Sequence, residues 1–487
     1  MADNKIQSQV YKGISSQTFI TIVMGVLEIS VFAIMSRLLS PADFGYYAII
    51  IAIVGIFSCL TEAGLGSAVI QRKDATKEYV STALGLSVIL GVSFTLLLLV
   101  LAKPLSVWMG FGDGLTIPFC WMSVTLLLCS VNSVSQAMFM RTLDFMKFGL
   151  CRVAAYIISS TIGVVMAWLG YGVYAIVASA VSNAVLTTII LLVVRGERPS
   201  VRIYPNHVKE IVSYGGWLTG SIIVRKISTE LDKFILTRFF APSLIGAYNR
   251  PSGFISSIST QIISIYDIVL FPILSSFKDD ETRIKSSFLK AISLISWFST
   301  ILSIAFILGA QIIIDVFFGP EWEWLITIFR ILSISIVFLA CTSLGDCFFR
   351  SLGLVKYYFY MRSATCVMTL VCVCIGVQYG ILGVAIGILV SRLFDSIIKF
   401  AFLSSKMSVS VVEVIKSVLS PMWATVLLAI ACLLAFSFIP YGEYIGIFVF
   451  GVMFILLFFY APKIFGKDVY ENIYLVLKNK IVAMRRR

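Results

Sequence analysis

The sequence predicts an all-α polytopic membrane protein built on a duplicated half. Three observations carry this: long apolar runs along the whole chain, a lopsided placement of basic residues, and a segment that returns about 200 positions after its first appearance. Of the 487 residues, 59% are apolar and 13% charged, with a mean hydropathy of +0.99. Soluble domains carry roughly 25% charged residues. A soluble fold cannot hide this much apolar surface, so the bilayer is the default solvent. Fourteen apolar runs are centred near residues 26, 52, 90, 127, 160, 183, 224, 259, 298, 337, 368, 391, 425 and 451. Each is long enough for a hydrocarbon core of about 30 Å. Spans of this length must be helices, because backbone groups in lipid find no water.

Topology follows from Lys and Arg. With a cytoplasmic N-terminus, fourteen spans return the C-terminus to the cytoplasm. The cytoplasmic segments then hold Arg72, Lys73 and Lys77; Arg195, Arg198, Arg202 and Lys209; Lys278, Arg283 and Lys285; and a tail ending Arg485-Arg486-Arg487. Only Arg37, Lys103 and Arg238 fall in outer loops. This positive-inside bias predicts an N-in, C-in protein. The net charge of +13 is thereby assigned to anchors at an anionic leaflet. The partners it implies are membrane lipids, with no nucleic acid.

The duplication is legible in residues 36 to 48, SRLLSPADFGYYA, and residues 237 to 249, TRFFAPSLIGAYN. Ser36, Arg37, Pro41, Gly45 and Tyr47 match Thr237, Arg238, Pro242, Gly246 and Tyr248. Arg141, Lys147 and Arg152 return as Arg350, Lys356 and Arg362, and Gly172-Val173 returns as Gly383-Val384. Three matches in one order argue for a duplicated half, and in membrane proteins this usually means a transporter built around its repeat interface. Six spans separate the copies, so the repeats are parallel. The expected units are an N-lobe over 1–205, a C-lobe over 206–408, two further spans over 409–465 and a basic tail over 466–487.

Several function classes lack their residues. No Walker A motif and no Gly-rich nucleotide fingerprint is present, so transport would draw on ion gradients. The ten cysteines lie mostly inside apolar runs and read as small hydrophobes. His207, the single histidine, sits in a cytoplasmic loop. No cofactor, metal site or catalytic residue is expected. The first span is too long for a signal-peptide core and is expected to be retained.

Six basic residues lie inside or at the edges of spans: Arg225, Lys226, Lys233, Arg250, Arg330 and Arg392. All belong to the second repeat. Span seven carries Arg225, Lys226, Glu230, Asp232 and Lys233. At about 2.5 to 3.5 kcal/mol per charge at a helix centre, the five cost on the order of 12 kcal/mol, which its apolar residues cannot offset. Ile223, Val224, Ile227, Leu231, Phe234 and Ile235 share one arc of this helix. Its polar side must look into water or the other lobe. On span twelve, Arg392, Asp395 and Lys399 share a face, with Lys399 able to snorkel to the cytoplasmic surface. Intramembrane charges are expensive and usually mark pathways. A cavity with surplus Arg and Lys attracts an anion, Arg offering a fork suited to phosphate and Lys a point charge. Arg225, Lys226 and Arg392 are therefore assigned to an anionic head group, with Lys233, Arg250 and Arg330 along its outward path. Glu28, Glu230, Asp232, Asp267 and Asp395 are candidates for a coupling H+ or Na+, or for ion pairs.

Ordered short stretches over nearly the whole chain then bring a family into view. They are Leu39-Ser40-Pro41 through Phe44-Gly45; Gly64 through Lys73; Met140-Arg141 with Leu143-Asp144-Phe145; Gly216-Trp217-Leu218-Thr219-Gly220 with Asp232; Gly246-Ala247-Tyr248-Asn249; Leu270-Phe271-Pro272; and Phe318-Gly319-Pro320-Glu321-Trp322. The chain resembles the Wzx-type polysaccharide flippases of the multidrug/oligosaccharidyl-lipid/polysaccharide exporter superfamily, most of all the colanic-acid-exporter-like members. The resemblance implies two pseudo-symmetric six-helix lobes related by an axis along the membrane normal, plus two C-terminal helices. It also implies alternating access in the bacterial inner membrane, carrying an undecaprenyl-diphosphate-linked oligosaccharide to the outer leaflet. A functional monomer, associated with polysaccharide polymerase machinery, belongs to the same picture. This sequence departs in one respect: its first lobe lacks intramembrane Arg or Lys, so the second must carry the anion site.

Two other functions compete. A cation-coupled multidrug antiporter of the same superfamily predicts an acid-dominated cavity, and the six basic residues lean the other way. A membrane polymerase or glycosyltransferase needs a sizeable external catalytic loop. The longest outer connections here, around 102 to 116 and 309 to 324, are short.

Overall fold

A computed structural model describes residues 2–62, 65–66, 69, 76–141, 144–195, 200–257 and 281–436. It is all-helical, with no strand among the described residues. Helices α1 (Ala2–Leu38), α2 (Pro41–Glu62), α3 (Lys77–Trp108), α4 (Thr116–Arg141), α5 (Phe145–Trp168) and α6 (Val173–Arg195) form the first half. Then come α7 (Pro205–Phe239), α8 (242–257), α9 (Glu281–Leu308), α10 (Ile326–Ser351), α11 (Val355–Val377), α12 (Gly380–Lys406) and α13 (Val411–Phe436). The span expected near residue 451 and the basic tail lie outside the described residues. Ten described helices are long and apolar enough to cross a membrane. At 35 residues α7 is long enough, but its charges keep it out of that set, as expected from its sequence.

Helix ends obey local chemistry. Ser40 and Asp43 cap α2 reciprocally: the Ser40 backbone N–H donates to Asp43 Oδ2 at 3.0 Å, and Asp43 N–H to Ser40 Oγ at 3.4 Å. Pro41 opens α2 at a position where its missing N–H costs nothing. Thr76 caps α3 by accepting from Tyr79 N–H at 3.2 Å. Gly170 turns the chain between α5 and α6 at φ +81°, a conformation open to glycine. With such short turns, successive helices run antiparallel.

The packing repeats as the sequence does. In the first half α1 lies on α5, α3 on α4, α5 on α6 and α4 on α6; in the second α7 lies on α11, α9 on α10, α11 on α12 and α10 on α12. Each contact returns six helices later. The α2 helix also reaches across to α7, and α13 packs on α9.

The apolar core is unevenly shared between the halves. On the membrane face carrying the turns before Pro41 and Pro242, here the Pro-turn face, one cluster joins both. It includes Phe44, Ile49 and Phe119 from the first half, and Leu236, Tyr248, Phe254 and Phe329 from the second. A short helical connection over 310–325 (Ala310–Ile313, a π-turn over Ile314–Phe318, and Pro320–Leu325) covers that face. It places Phe318 against Phe32 and Trp322 near Phe44. Toward the opposite face the clusters of described residues divide. One around Phe288, Phe348 and Leu403 belongs to the second half, and one around Tyr79, Ala83 and Val134 to the first, joined there by Ile211 of α7. The halves are thus joined at the Pro-turn face and have largely separate cores beneath it.

Candidate functional site

Charged side chains of α7, α8 and α12 form three groups in the second half, two of which touch the first half. In the first, Glu230 of α7 is buried and holds two lysines of its own helix. Lys226 Nζ lies 2.8 Å from Oε1, and Lys233 Nζ 2.5 Å from Oε2. The i, i+3 and i, i+4 spacings put all three on one face. One carboxylate between two ammonium groups leaves one surplus positive charge. The Lys226 stem lies over Gly55 of α2: a methyl on Gly55 would come 2.6 Å from Lys226 Cε and 2.9 Å from Nζ. The polar side of α7 therefore meets the other lobe at this point.

Glu230→Gln is expected to leave both lysines without their counter-charge. Stability should fall by about 1.5 to 3 kcal/mol, the range for hydrogen bonds to charged groups. Thermal unfolding in detergent reads the drop, and Glu230→Gln combined with Lys233→Met should recover part of it.

In the second group, Asp232 is buried and accepts a hydrogen bond from Tyr248 Oη of α8 at 2.9 Å. Its other oxygen accepts the Lys233 backbone N–H at 2.9 Å. The Arg392 charge of α12 acts on both Asp232 and Tyr248, and Arg392 Nη1 donates to Ser335 Oγ of α10 at 2.5 Å. Four helices meet here. Tyr248 is the repeat partner of Tyr47, so the duplicated motif itself supplies a ligand to the site.

The third is Arg250 of α8, which reaches into the first half. Its guanidinium carbon sits 3.9 Å from the centre of the Phe32 ring and 3.5 Å from that of Phe44. Nη2 donates to Ser36 Oγ at 3.0 Å and to the Phe32 carbonyl at 3.4 Å. Nε is buried without a hydrogen-bond partner. Cation–π stacking takes the place of a carboxylate.

The remaining candidates are dispersed. Arg225 and Arg330 are exposed on α7 and α10, and neither belongs to an ion pair among the described residues. Glu28 of α1 is half-buried and feels the charge of Arg152 on α5. Asp395 lies apart from the α7 groups, in a network described next. Asp267 lies outside the described residues.

Sequence reasoning missed this last network. Arg362 pairs with Asp346, and Lys399 Nζ lies 2.9 Å from Asp346 Oδ1 and 2.8 Å from Asp395 Oδ2. Thr365 Oγ1 donates to Asp395 Oδ1 at 2.5 Å. Lys399 does not snorkel to the surface as its sequence position suggested; it is 0% exposed. Two carboxylates on α10 and α12 offer it a closer counter-charge than the headgroup region. Asp346 sits in a run of small and apolar residues, CTSLGDCFF, and that isolated acid was the available signal.

Among the described residues no group of three or more His, Cys, Asp or Glu is placed to hold a metal ion. Among the described residues, with the ion pairs counted, positive charge is in excess at the junction of the halves: one from the Glu230 group, one from Arg250, and exposed Arg225 on the same stretch of α7.

Comparison with known proteins bears on the family and the fold. A family described as "Polysaccharide biosynthesis protein" matches residues 34–326. "Lipopolysaccharide biosynthesis protein WzxC" of Escherichia coli (strain K12) is 24% identical over 329 residues, covering 65% of this chain and 64% of that protein. The chain thus spans somewhat less than two thirds of that relative's length. "Putative O-antigen transporter" of Shigella flexneri is 24% identical over 388 residues, covering 75% of this chain and 90% of that protein. Among solved structures, "Lipid II flippase MurJ, inward closed conformation" superposes with a TM-score of 0.69 at 12% identity, covering 90% of this chain and 98% of that one.

Proposed function

The chain belongs to the polysaccharide biosynthesis protein family, and on that premise we propose that it is a flippase for a lipid-linked oligosaccharide in the bacterial cytoplasmic membrane. Its cargo is an undecaprenyl-diphosphate-linked repeat unit, moved from the inner to the outer leaflet by alternating access and coupled to a gradient of H+ or Na+. In this reading the chain crosses the membrane fourteen times with both termini in the cytoplasm. The lobes are residues 1–205 and 206–408, and the Pro-turn face is the outer face. The halves, joined at that face with largely separate cores beneath it, correspond to a carrier closed toward the outside.

The observation that carries the reading is the surplus of positive charge where the halves meet. A diphosphate is a compact multivalent anion, matched by Arg forks and Lys point charges in a site partly removed from water. Arg225, Lys226 and Arg392 are assigned to the head group, and Lys233, Arg250 and Arg330 to the path beyond it. Glu28, Glu230, Asp232, Asp267 and Asp395 are the carboxylates assigned to coupling; of those described, Glu230, Asp232 and Asp395 are hydrogen-bonded to cationic or hydroxyl partners and Glu28 feels the charge of Arg152. A drug antiporter for cations would need the opposite balance.

The test uses cells that depend on this chain for surface polysaccharide. Arg225→Ala, on an exposed side chain with no ion pair among the described residues, should leave the protein level unchanged. Surface polysaccharide should fall several-fold and its lipid-linked precursor accumulate. Wild-type export would remove Arg225 from the site; unchanged polysaccharide on deleting the whole chain, with altered efflux of cationic dyes, would refute the flippase. Export measured under separate proton and sodium gradients identifies the coupling ion.

A further inference from the structure

The repeated segment supplies two glycines that face each other. A methyl group built on Gly45 of α2 would overlap the Pro242 carbonyl and lie 3.1 Å from the Gly246 nitrogen. One built on Gly246 of α8 would overlap the Pro41 carbonyl and lie 2.7 Å from the Gly45 nitrogen. The contact is reciprocal: the same two positions of each repeat, glycine and the proline before it, meet across the axis relating the halves. What each glycine touches is backbone, which cannot swing aside as a side chain can.

The crossing lies beside the Arg250 cage. Phe44 precedes Gly45 on α2, and Arg250 follows Gly246 by one turn on α8. The guanidinium of one half is therefore clamped between rings of the other within a turn of the glycines. Two-fold symmetry is broken at this clamp. The repeat counterparts of Phe44 and Arg250, at the offset of Gly45 and Gly246, are Ile245 and Ile49, both fully buried apolar residues. One side of the crossing thus carries two buried apolar residues, and the other a cation held by two rings with one N–H left unpaired. A contact with a buried unsatisfied donor is easier to release than a fully paired one.

We propose that Gly45 and Gly246 form a backbone gate on the Pro-turn face, closed only because neither carries a Cβ, and that Arg250 is its latch. The proposal rests on the alternating-access reading and goes beyond it. It assigns the outer closure to two residues of the duplicated motif and fixes the consequence of adding bulk there. Opening requires α2 and α8 to part at the glycines and Arg250 to leave the Phe32–Phe44 cage. Bulk at either glycine favours the parted state, and loss of the guanidinium removes a restraint on parting.

The experiment measures the separation of spin labels at Leu38 and Phe239, exposed repeat counterparts on that face, in purified full-length protein. Non-canonical residues carry the labels, so the native cysteines stay. Gly45→Leu and Gly246→Leu should each raise the ratio of longer to shorter distances by about tenfold or more, the scale expected when overpacking biases a two-state equilibrium. Arg250→Gln should move it in the same direction by less. Gly253→Leu, on the same helix with nothing within 4 Å of its Cβ position, should match the parent. Parent-like distances in both leucine variants would overturn the gate, as would an equal shift in Gly253→Leu. If the leucine variants do not fold, Gly45→Ala and Gly246→Ala take their place, with unchanged distances again overturning it. The readout needs no substrate. Unchanged distances with export by the parent intact would sink the gate alone, whereas longer distances in the variants of a parent that itself moves no lipid-linked sugar would sink the flippase reading alone.

Discussion

Lys399→Met is expected to be the most destabilising single substitution in the second half, lowering stability by about 3 to 5 kcal/mol, the cost of breaking a buried ion pair from one side. Lys399 is 0% exposed and touches two carboxylates, at 2.9 Å on Asp346 and 2.8 Å on Asp395. Its stem lies over Gly345, where an added methyl would sit 3.4 Å from Lys399 Cβ and Cδ. Removing the ammonium leaves two buried acids facing Arg362, which pairs with Asp346 and lies 4.0 Å from Asp395 Oδ2, and the charge of Arg350 on Asp346. The double variant Lys399→Met, Asp395→Asn restores charge balance and should recover most of the loss, because a missing pair costs far less than an orphaned charge. Unfolding in detergent monitors both. A single variant as stable as the parent would show that water reaches the network.

Arg392→Ala is expected to reduce export by roughly 30-fold, the loss of about 2 kcal/mol that follows when a hydrogen-bonded charged group is removed. Arg392 fastens α12 to α10 through Ser335 and places positive charge beside Asp232 and Tyr248. Without it Asp232 keeps its hydrogen bonds from Tyr248 Oη and the Lys233 N–H but loses a neighbouring positive charge. Arg392→Lys separates two roles. If charge alone matters, lysine restores export; if a planar fork must meet a diphosphate, lysine leaves most of the defect. Surface polysaccharide normalised to protein level provides the measurement, and wild-type export from Arg392→Ala would remove this residue from the site.

Much of the protein was legible along the chain. Apolar runs marked the helices, and the descending arm of one repeat contact, α3 on α4, returned as α9 on α10 just as the sequence duplication required. The charges of α7 announced a helix that could not face lipid alone. Glu230 with Lys226 and Lys233 was readable because their spacing is local. Arg250 was legible as an intramembrane cation, but its cage was not: Phe32 lies 218 positions away. Asp346 and Arg362, and the pairing of Asp346 with Lys399, were missed for the same reason. Each sits on a different helix, and Arg362 alone reads as one more cytoplasmic anchor.

The sequence by itself determined that this is an all-helical membrane protein with a repeated segment, and that cations lie within the spans of its second half. Hydrophobicity and helix periodicity act over neighbouring residues, so one pass along the chain reports them. Only the tertiary structure decided which charges neutralise each other and which remain over, because that depends on how helices distant in sequence are rotated and pressed together. Gly45 and Gly246 illustrate the division. Their equivalence is written in the repeat, but that they meet backbone to backbone follows only from the crossing of α2 and α8, where no side chain would fit.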